Sequence, residues 1–199
     1  MELIRRHEVD EASHEDSLSM RVGWHVLEAF LESRGDAGPR FTYLDGVLEC
    51  MSPSFNHELI ASNLARFLEL WAFEFDVELA ALGSLTLKKK PEQAGVEPDK
   101  CYFLGPIGRR RTPDLAIEVV WTVPLVDKFE VYRRLKVSEL WVWADGALTP
   151  WILGASGYSR GRKSRVLPAL DLKLLNRFAL RLDQTKALKE FLRVAKRQR

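Results

Sequence analysis

Cysteine is nearly absent: the 199 residues contain only Cys50 and Cys101, at a separation that matches neither a zinc site nor a disulfide framework. Both fall in stretches that read as strands, so buried, reduced thiols are expected, which fits the cytosol. Long hydrophobic runs are missing as well. No apolar stretch approaches the roughly 18 residues that span a bilayer, and the acidic N-terminus lacks the basic-then-apolar order of a secretory signal. A cytoplasmic protein with no membrane partner is expected. Net charge is almost nil, since 30 bases against 28 acids leave +2, so any polyanion partner has to be argued from where the charges lie. Internal repeats and low-complexity segments are absent too, which excludes solenoid architectures.

What is present describes one ordinary domain. At 46% hydrophobic and 29% charged, the chain can bury a single core. Residues 1–18 show little periodicity and read as a flexible N-terminal arm, with residues 19–199 as the domain. Charge is unevenly spread. Residues 1–17 carry six acids against Arg5 and Arg6, whereas residues 186–199 carry six bases against Glu190. Further bases cluster at Lys88, Lys89 and Lys90, at Arg109, Arg110 and Arg111, and at Arg160, Arg162, Lys163 and Arg165. Such loops hold phosphates or simply keep a surface soluble, and composition does not choose between the two.

Periodicity places the elements. Val22, Val26, Leu27, Phe30 and Leu31 recur at helical spacing from about Ser19 to Ser33, with Gly35 as a stop. Asp45-Gly46 between two apolar runs predicts a hairpin, whose second strand carries Val47, Glu49 and Met51 on one face. Taken alone, Glu49 reads as a half-exposed acid at a sheet edge. Ser52-Pro53-Ser54 caps a long helix to about Phe75. His57 in its first turn reads as a surface or capping residue, where the helix dipole disfavours an imidazolium; a neutral ring facing a phosphate or a water is the sharper alternative.

Short strands are expected around Gly83, then a loop through Pro91 and Gly95 to Pro98, then a strand that Asp99 enters on an apolar face. The run from Pro113 to Trp121 is a strand with Asp114, Ala116, Glu118 and Val120 on one face and Leu115, Ile117, Val119 and Trp121 on the other. Sharing a face with Asp114 implies only partial burial for Glu118. A helix is expected from Pro124, with Lys128 beside its buried stripe of Leu125, Phe129, Tyr132 and Leu135. A tryptophan-rich strand, an Asp145-Gly146 hairpin, a basic turn at 157–163 and a helix from about Gln184 complete the chain.

Glu49, Asp99 and Glu118 thus sit on predicted strands among apolar neighbours, and Lys128 follows Glu118 by ten residues. An ionised carboxylate buried without a partner is costly, so it takes a proton, a cation or a metal ion. Oxygen ligands suit a hard ion such as Mg²⁺, with Mn²⁺ as a substitute. Such an ion implies phosphodiester hydrolysis, because it acidifies an attacking water and neutralises charge on the leaving oxygen.

Five blocks together resemble a known family: Phe41 to Pro53 (FTYLDGVLECMSP), His57, Gly95 to Phe103 (GVEPDKCYF), Pro113 to Val119 (PDLAIEV), and Lys128 to Trp141 (KFEVYRRLKVSELW). In order and spacing, from about residue 22 to 180, they resemble the Uma family of restriction-endonuclease-like proteins in the PD-(D/E)XK nuclease superfamily. The resemblance implies an α/β fold, a central mixed sheet flanked by helices, and a Mg²⁺-dependent DNA endonuclease. It implies catalytic roles for Glu49, Asp99, Glu118 and Lys128, and metal ligation by Asp99, Glu118 and the carbonyl of Val119. His57 would be accessory. The family lysine stands on the helix after the strand, and here too the position two after Glu118 is Val120. The stretch Lys136-Val137-Ser138-Glu139 departs from the family's usual Gly-Val-Pro-Glu without touching the implied ligands. A second reading is a non-cleaving nucleic-acid-binding or regulatory module on the same fold. A homodimer through Trp141, Trp143 and Trp151 is a third.

Overall fold

The computed structural model describes residues 15–34, 38–82 and 85–198. The first half runs β1 (Asp16–Arg21), α1 (Trp24–Arg34), β2 (Arg40–Leu44), β3 (Val47–Ser52), α2 (Phe55–Glu74), β4 (Leu79–Leu82), β5 (Leu87–Lys89) and β6 (Ala94–Val96). The second half runs β7 (Lys100–Leu104), β8 (Leu115–Val119), α3 (Lys128–Leu135), β9 (Glu139–Ala144), β10 (Ala147–Gly154), β11 (Gly157–Arg160), α4 (Leu172–Phe178) and α5 (Gln184–Gln198). No described helix is long and apolar enough to cross a membrane.

Two sheets form rather than one. The first is antiparallel in the order β1-β3-β2-β6-β5; the second has the order β11-β10-β9-β8-β7-β4 and is mixed, because β8 and β9 pair in parallel. The expected mixed sheet flanked by helices is this second one. The chain crosses from one sheet to the other at Glu97-Pro98-Asp99, between β6 and β7. Proline has no N–H to donate to a ladder, so pairing stops there. Asp99 is therefore delivered to the seam between the sheets.

Both Asp-Gly pairs make the predicted hairpins. Asp45 and Gly46 take φ of 47° and 84°, and Asp145 and Gly146 take 50° and 75°, the left-handed region that such turns require. Several expectations change. β1 starts inside the expected arm and pairs with β3; residues 1–14 lie outside the described residues, as do Gly35 and Gly83. The expected loop before Pro98 holds β6, and the basic turn after Gly157 begins as β11. Helix α4 had no counterpart in the sequence reading. Most consequential, the helix expected from Pro124 starts only at Lys128, capped by Asp127, whose side chain accepts from Glu130 N.

The core divides into three. The largest packs α2, α4 and α5 on the face of the mixed sheet that presents Leu115, Ile117, Val119, Trp141 and Trp143. The second surrounds α3, between Leu87 and Val96 of the first sheet and Ala116 and Leu140 on the other face of the mixed sheet. The third joins α1 to Phe41, Tyr43 and Leu48. Of the thiols, Cys101 is buried, with its pKa pushed up to about 11 by desolvation, whereas Cys50 is half-buried and free.

Candidate metal centre at the seam between the sheets

Strand β8 is buried along its whole length, and Glu118 retains 2% of its surface. The expected partial burial is therefore wrong, because α3 closes over this face of the sheet. That helix also supplies the partners. Lys128 Nζ lies 2.6 Å from Glu118 Oε2, and the Tyr132 hydroxyl donates to Oε1. Lys128 and Tyr132 are four residues apart and so share one helix face. Burial pushes the Glu118 carboxyl up, Lys128 opposes this and nearby Asp99 adds to it. Burial would lower Lys128, but Glu118, Asp99 and Glu49 together raise it. Its ammonium is the cation paired with Glu118, and Glu118 is less acidic than a free carboxyl.

Asp99 enters beside Glu118, since Lys100 pairs with Ile117 on the adjacent strand. Its Oδ2 accepts from Val119 N at 2.7 Å. Its Oδ1 faces His57 Nε2 at 3.0 Å and Arg40 Nε at 3.3 Å, yet no donor is aligned on this buried oxygen. Despite complete burial, the carboxyl is held well below the usual range by His57, Arg40 and Lys128.

His57 is no surface cap. Its ring is fully buried, with Glu15 Oε1 2.6 Å from Nδ1 and Asp99 beyond Nε2. Desolvation and the helix dipole oppose a charge here, but the Asp99 and Glu15 carboxylates beside its two ring nitrogens outweigh them and raise its pKa to about 9. The ring is an imidazolium between two carboxylates, and the expectation of a neutral ring fails because two acids replace the solvent. Glu15 also accepts from Thr122 Oγ1 at 2.8 Å, which ties the start of the described chain to the loop after β8.

Glu49 is buried on β3, which lies between β1 and β2, rather than half-exposed at a sheet edge, and it lines one small cavity with Arg40, Val119 and Lys128. Its Oε1 accepts from Leu125 N and its Oε2 from Val126 N, each at 3.1 Å. These two bonds engage the amides just after Pro124 in the irregular, bent connection 120–127, and α3 begins only at Lys128. Glu49 thus binds the connection that carries the lysine.

The donor set fits a hard divalent ion in a restricted way. Asp99 Oδ1 is a buried acceptor without an aligned donor, and each Glu118 oxygen has one protein donor. Among the described residues no three His, Cys, Asp or Glu gather as ligands, and Asp99 and Glu118 are the two neighbouring acids these residues offer. That number suits Mg²⁺, which binds one or two carboxylates and completes its shell with waters and phosphate oxygens.

The basic clusters do not converge on this centre. Arg109, Arg110 and Arg111 precede β8, at the end away from Glu118, and Arg110 is engaged by Asp114 at 2.6 Å. Lys88, Lys89 and Lys90 run to the outer end of β5, where Lys89 Nζ reaches Leu135 O at 3.5 Å. Arg162 and Lys163 border a separate cavity near Trp71 and Phe75, beyond α4. Arg160 alone lines a groove that also includes Glu118 and Lys128. The sequence reading missed Tyr132, Arg40 and Glu15 as site residues. Only Tyr132 had a signal, its i,i+4 relation to Lys128.

Residues 27–181 match the Uma2 family, described as "Putative restriction endonuclease". The chain belongs to this family. Its fold is similar to the crystal structure of a "putative nuclease belonging to DUF820" from Anabaena variabilis ATCC 29413, with TM-score 0.55 and 16% identity, covering 77% of this chain and 98% of that one. No curated protein matches the chain.

Proposed function

We propose that this Uma2 protein is a Mg²⁺-dependent endonuclease that hydrolyses phosphodiester bonds of DNA. The observation that carries the reading is the meeting of Asp99 and Glu118 on adjacent strands, with Lys128 and Tyr132 of one helix face on Glu118. Family membership and the nuclease-like fold support it.

Asp99 and Glu118 would hold the ion, with the Val119 carbonyl a further ligand; Mn²⁺ would serve as well. When bound, the ion acidifies an attacking water and offsets charge on the leaving oxygen. Lys128 would place its ammonium beside the scissile phosphate and orient the attacking water. Tyr132 fixes the Glu118 rotamer by its hydroxyl bond. His57 and Arg40 keep Asp99 ionised, and Glu49 sets the path of the chain into Lys128. Arg160 is the basic residue best placed for the substrate strand. All of these residues belong to one chain, and Trp141 and Trp143, expected at a dimer face, are buried in its core.

The experiment is conversion of supercoiled plasmid to nicked circles by purified protein in Mg²⁺. Wild type is expected to nick, with loss in EDTA and in Asp99→Asn. Salt-sensitive DNA binding without nicking, unchanged by Asp99→Asn, would favour the non-cleaving module instead.

A further inference from the structure

One face of the mixed sheet is only half covered. Helix α3 packs over its β8 end, and beyond the helix a groove of about 590 Å³ runs from Glu118 across β9 and β10 to Arg160 on β11. Its inner end is the Glu118–Lys128 pair, so whatever fills it lies against the proposed nuclease centre. The floor is small and apolar, with Val142 and Ala144 half-buried. One wall is aromatic: Phe129 and Trp151 meet edge to face with centroids 4.9 Å apart. Thr149 adds a hydroxyl within reach of the floor, and Asp127 and Asp145 also line the groove.

These features do not suit a duplex laid across the surface. Acids in the lining repel a phosphate backbone, and an apolar floor offers it nothing. They suit a flat, uncharged, polar-edged ring, with its flank on aromatic and aliphatic carbon and its edge toward a hydroxyl or carboxylate. The groove spans three strand spacings from β8 to β11, about 14 Å, which leaves room for a ring between the catalytic pair and a neighbouring phosphate. Arg160, exposed and without an acidic partner among the described residues, closes the far end with a free guanidinium for that phosphate.

We propose that this groove seats an unpaired nucleobase, so that the substrate is single-stranded DNA or a nucleotide turned out of the duplex beside the scissile phosphate. The inference rests on the nuclease reading for its ligand class. It gives the groove a second role, the choice of strands whose bases are free of the stack. The energy of unstacking is lowest where a base is already unpaired, which is where this preference would act.

The test separates binding from cleavage. Affinities for a labelled single-stranded DNA oligonucleotide, its duplex and an abasic strand of equal length are measured in EDTA by fluorescence anisotropy. The chains compared are wild type and Thr149→Trp, which fills the groove from a half-buried position on β10 without removing a core side chain. Wild type is expected to prefer the single strand, with about a tenfold loss for the abasic strand. In Thr149→Trp that difference disappears while circular dichroism shows the fold retained. Equal affinity for abasic and normal strands, or an unchanged Thr149→Trp, overturns the proposal. So does a stronger preference for an RNA strand, or a dimer in sedimentation equilibrium that Thr149→Trp abolishes without any dependence on bases. If plasmid nicking fails while base-dependent binding persists, only the nuclease reading falls; if nicking holds and binding ignores the bases, only the groove assignment falls.

Discussion

The two faces of β8 are equally buried and held by opposite means. On one, Ile117 and Val119 pack among α2, α4 and α5 in a dry core. On the other, Glu118 is paired by Lys128 and Tyr132, with Asp99 entering from the next strand. The apolar face gains from every ångström of contact. The polar face pays desolvation for three charged groups and recovers it only while all of them stay matched. Burial alone does not distinguish structure from function on this strand; the supply of partners does.

Glu118→Ala breaks the comparison most severely. It leaves the half-buried Lys128 ammonium and the buried Tyr132 hydroxyl without an acceptor, for an expected loss of about 3 kcal/mol in urea denaturation. DNA cleavage should fall at least about 100-fold. On the other face Ile117→Ala opens a cavity and should cost about 3 kcal/mol, yet the cleavage rate per folded molecule should stay within about twofold of wild type.

A third way to sharpen the contrast is pH. His57 has its pKa raised to about 9 from an ordinary 6.5, so its stabilisation is complete below about 6.5 and is lost as pH rises through 9. Asp99 is depressed, so its share is present above the ordinary carboxylate range and is lost only in acid. Denaturation midpoints should therefore fall between pH 6.5 and 9, worth roughly 3 kcal/mol in total. His57→Gln should flatten that window.

Smaller effects come from the edges. Glu49→Gln keeps one acceptor for the Leu125 and Val126 amides and loses the other. A loss of about 1–2 kcal/mol is expected, with cleavage reduced because Lys128 is less firmly placed. Arg110→Ala, at the far end of β8 and partly exposed, should change stability by less than about 1 kcal/mol and leave cleavage unaltered in the plasmid assay.

Local signals in the sequence carried a good part of this. Two Asp-Gly pairs marked the hairpins, alternation put Glu118 and Ile117 on opposite faces, and the blocks around Asp99, Glu118 and Lys128 pointed to the family that the chain belongs to. What stayed hidden depends on distant partners. Ala94–Val96 is too short and too glycine-rich to register as a strand until β2 and β5 flank it. Pro124 resembles a helix start, but Glu49 takes the next two amides from another sheet. His57 becomes an imidazolium through Glu15, 42 positions away in the chain, and nothing local to either residue announces the pair. Burial of Glu118 was underestimated because α3 lies over it, a tertiary fact that strand periodicity does not contain.

The central claim is that Asp99 and Glu118 act together as the ligands of a divalent ion. Titration with Mn²⁺, following the electron paramagnetic resonance signal of the free ion, tests it most directly, with wild type compared to Asp99→Asn and Glu118→Gln. The account predicts that wild type removes free Mn²⁺ from solution, that Mg²⁺ competes, and that each variant weakens uptake at least about tenfold. Uptake that is identical in all three proteins, or absent from wild type with DNA present, would contradict it.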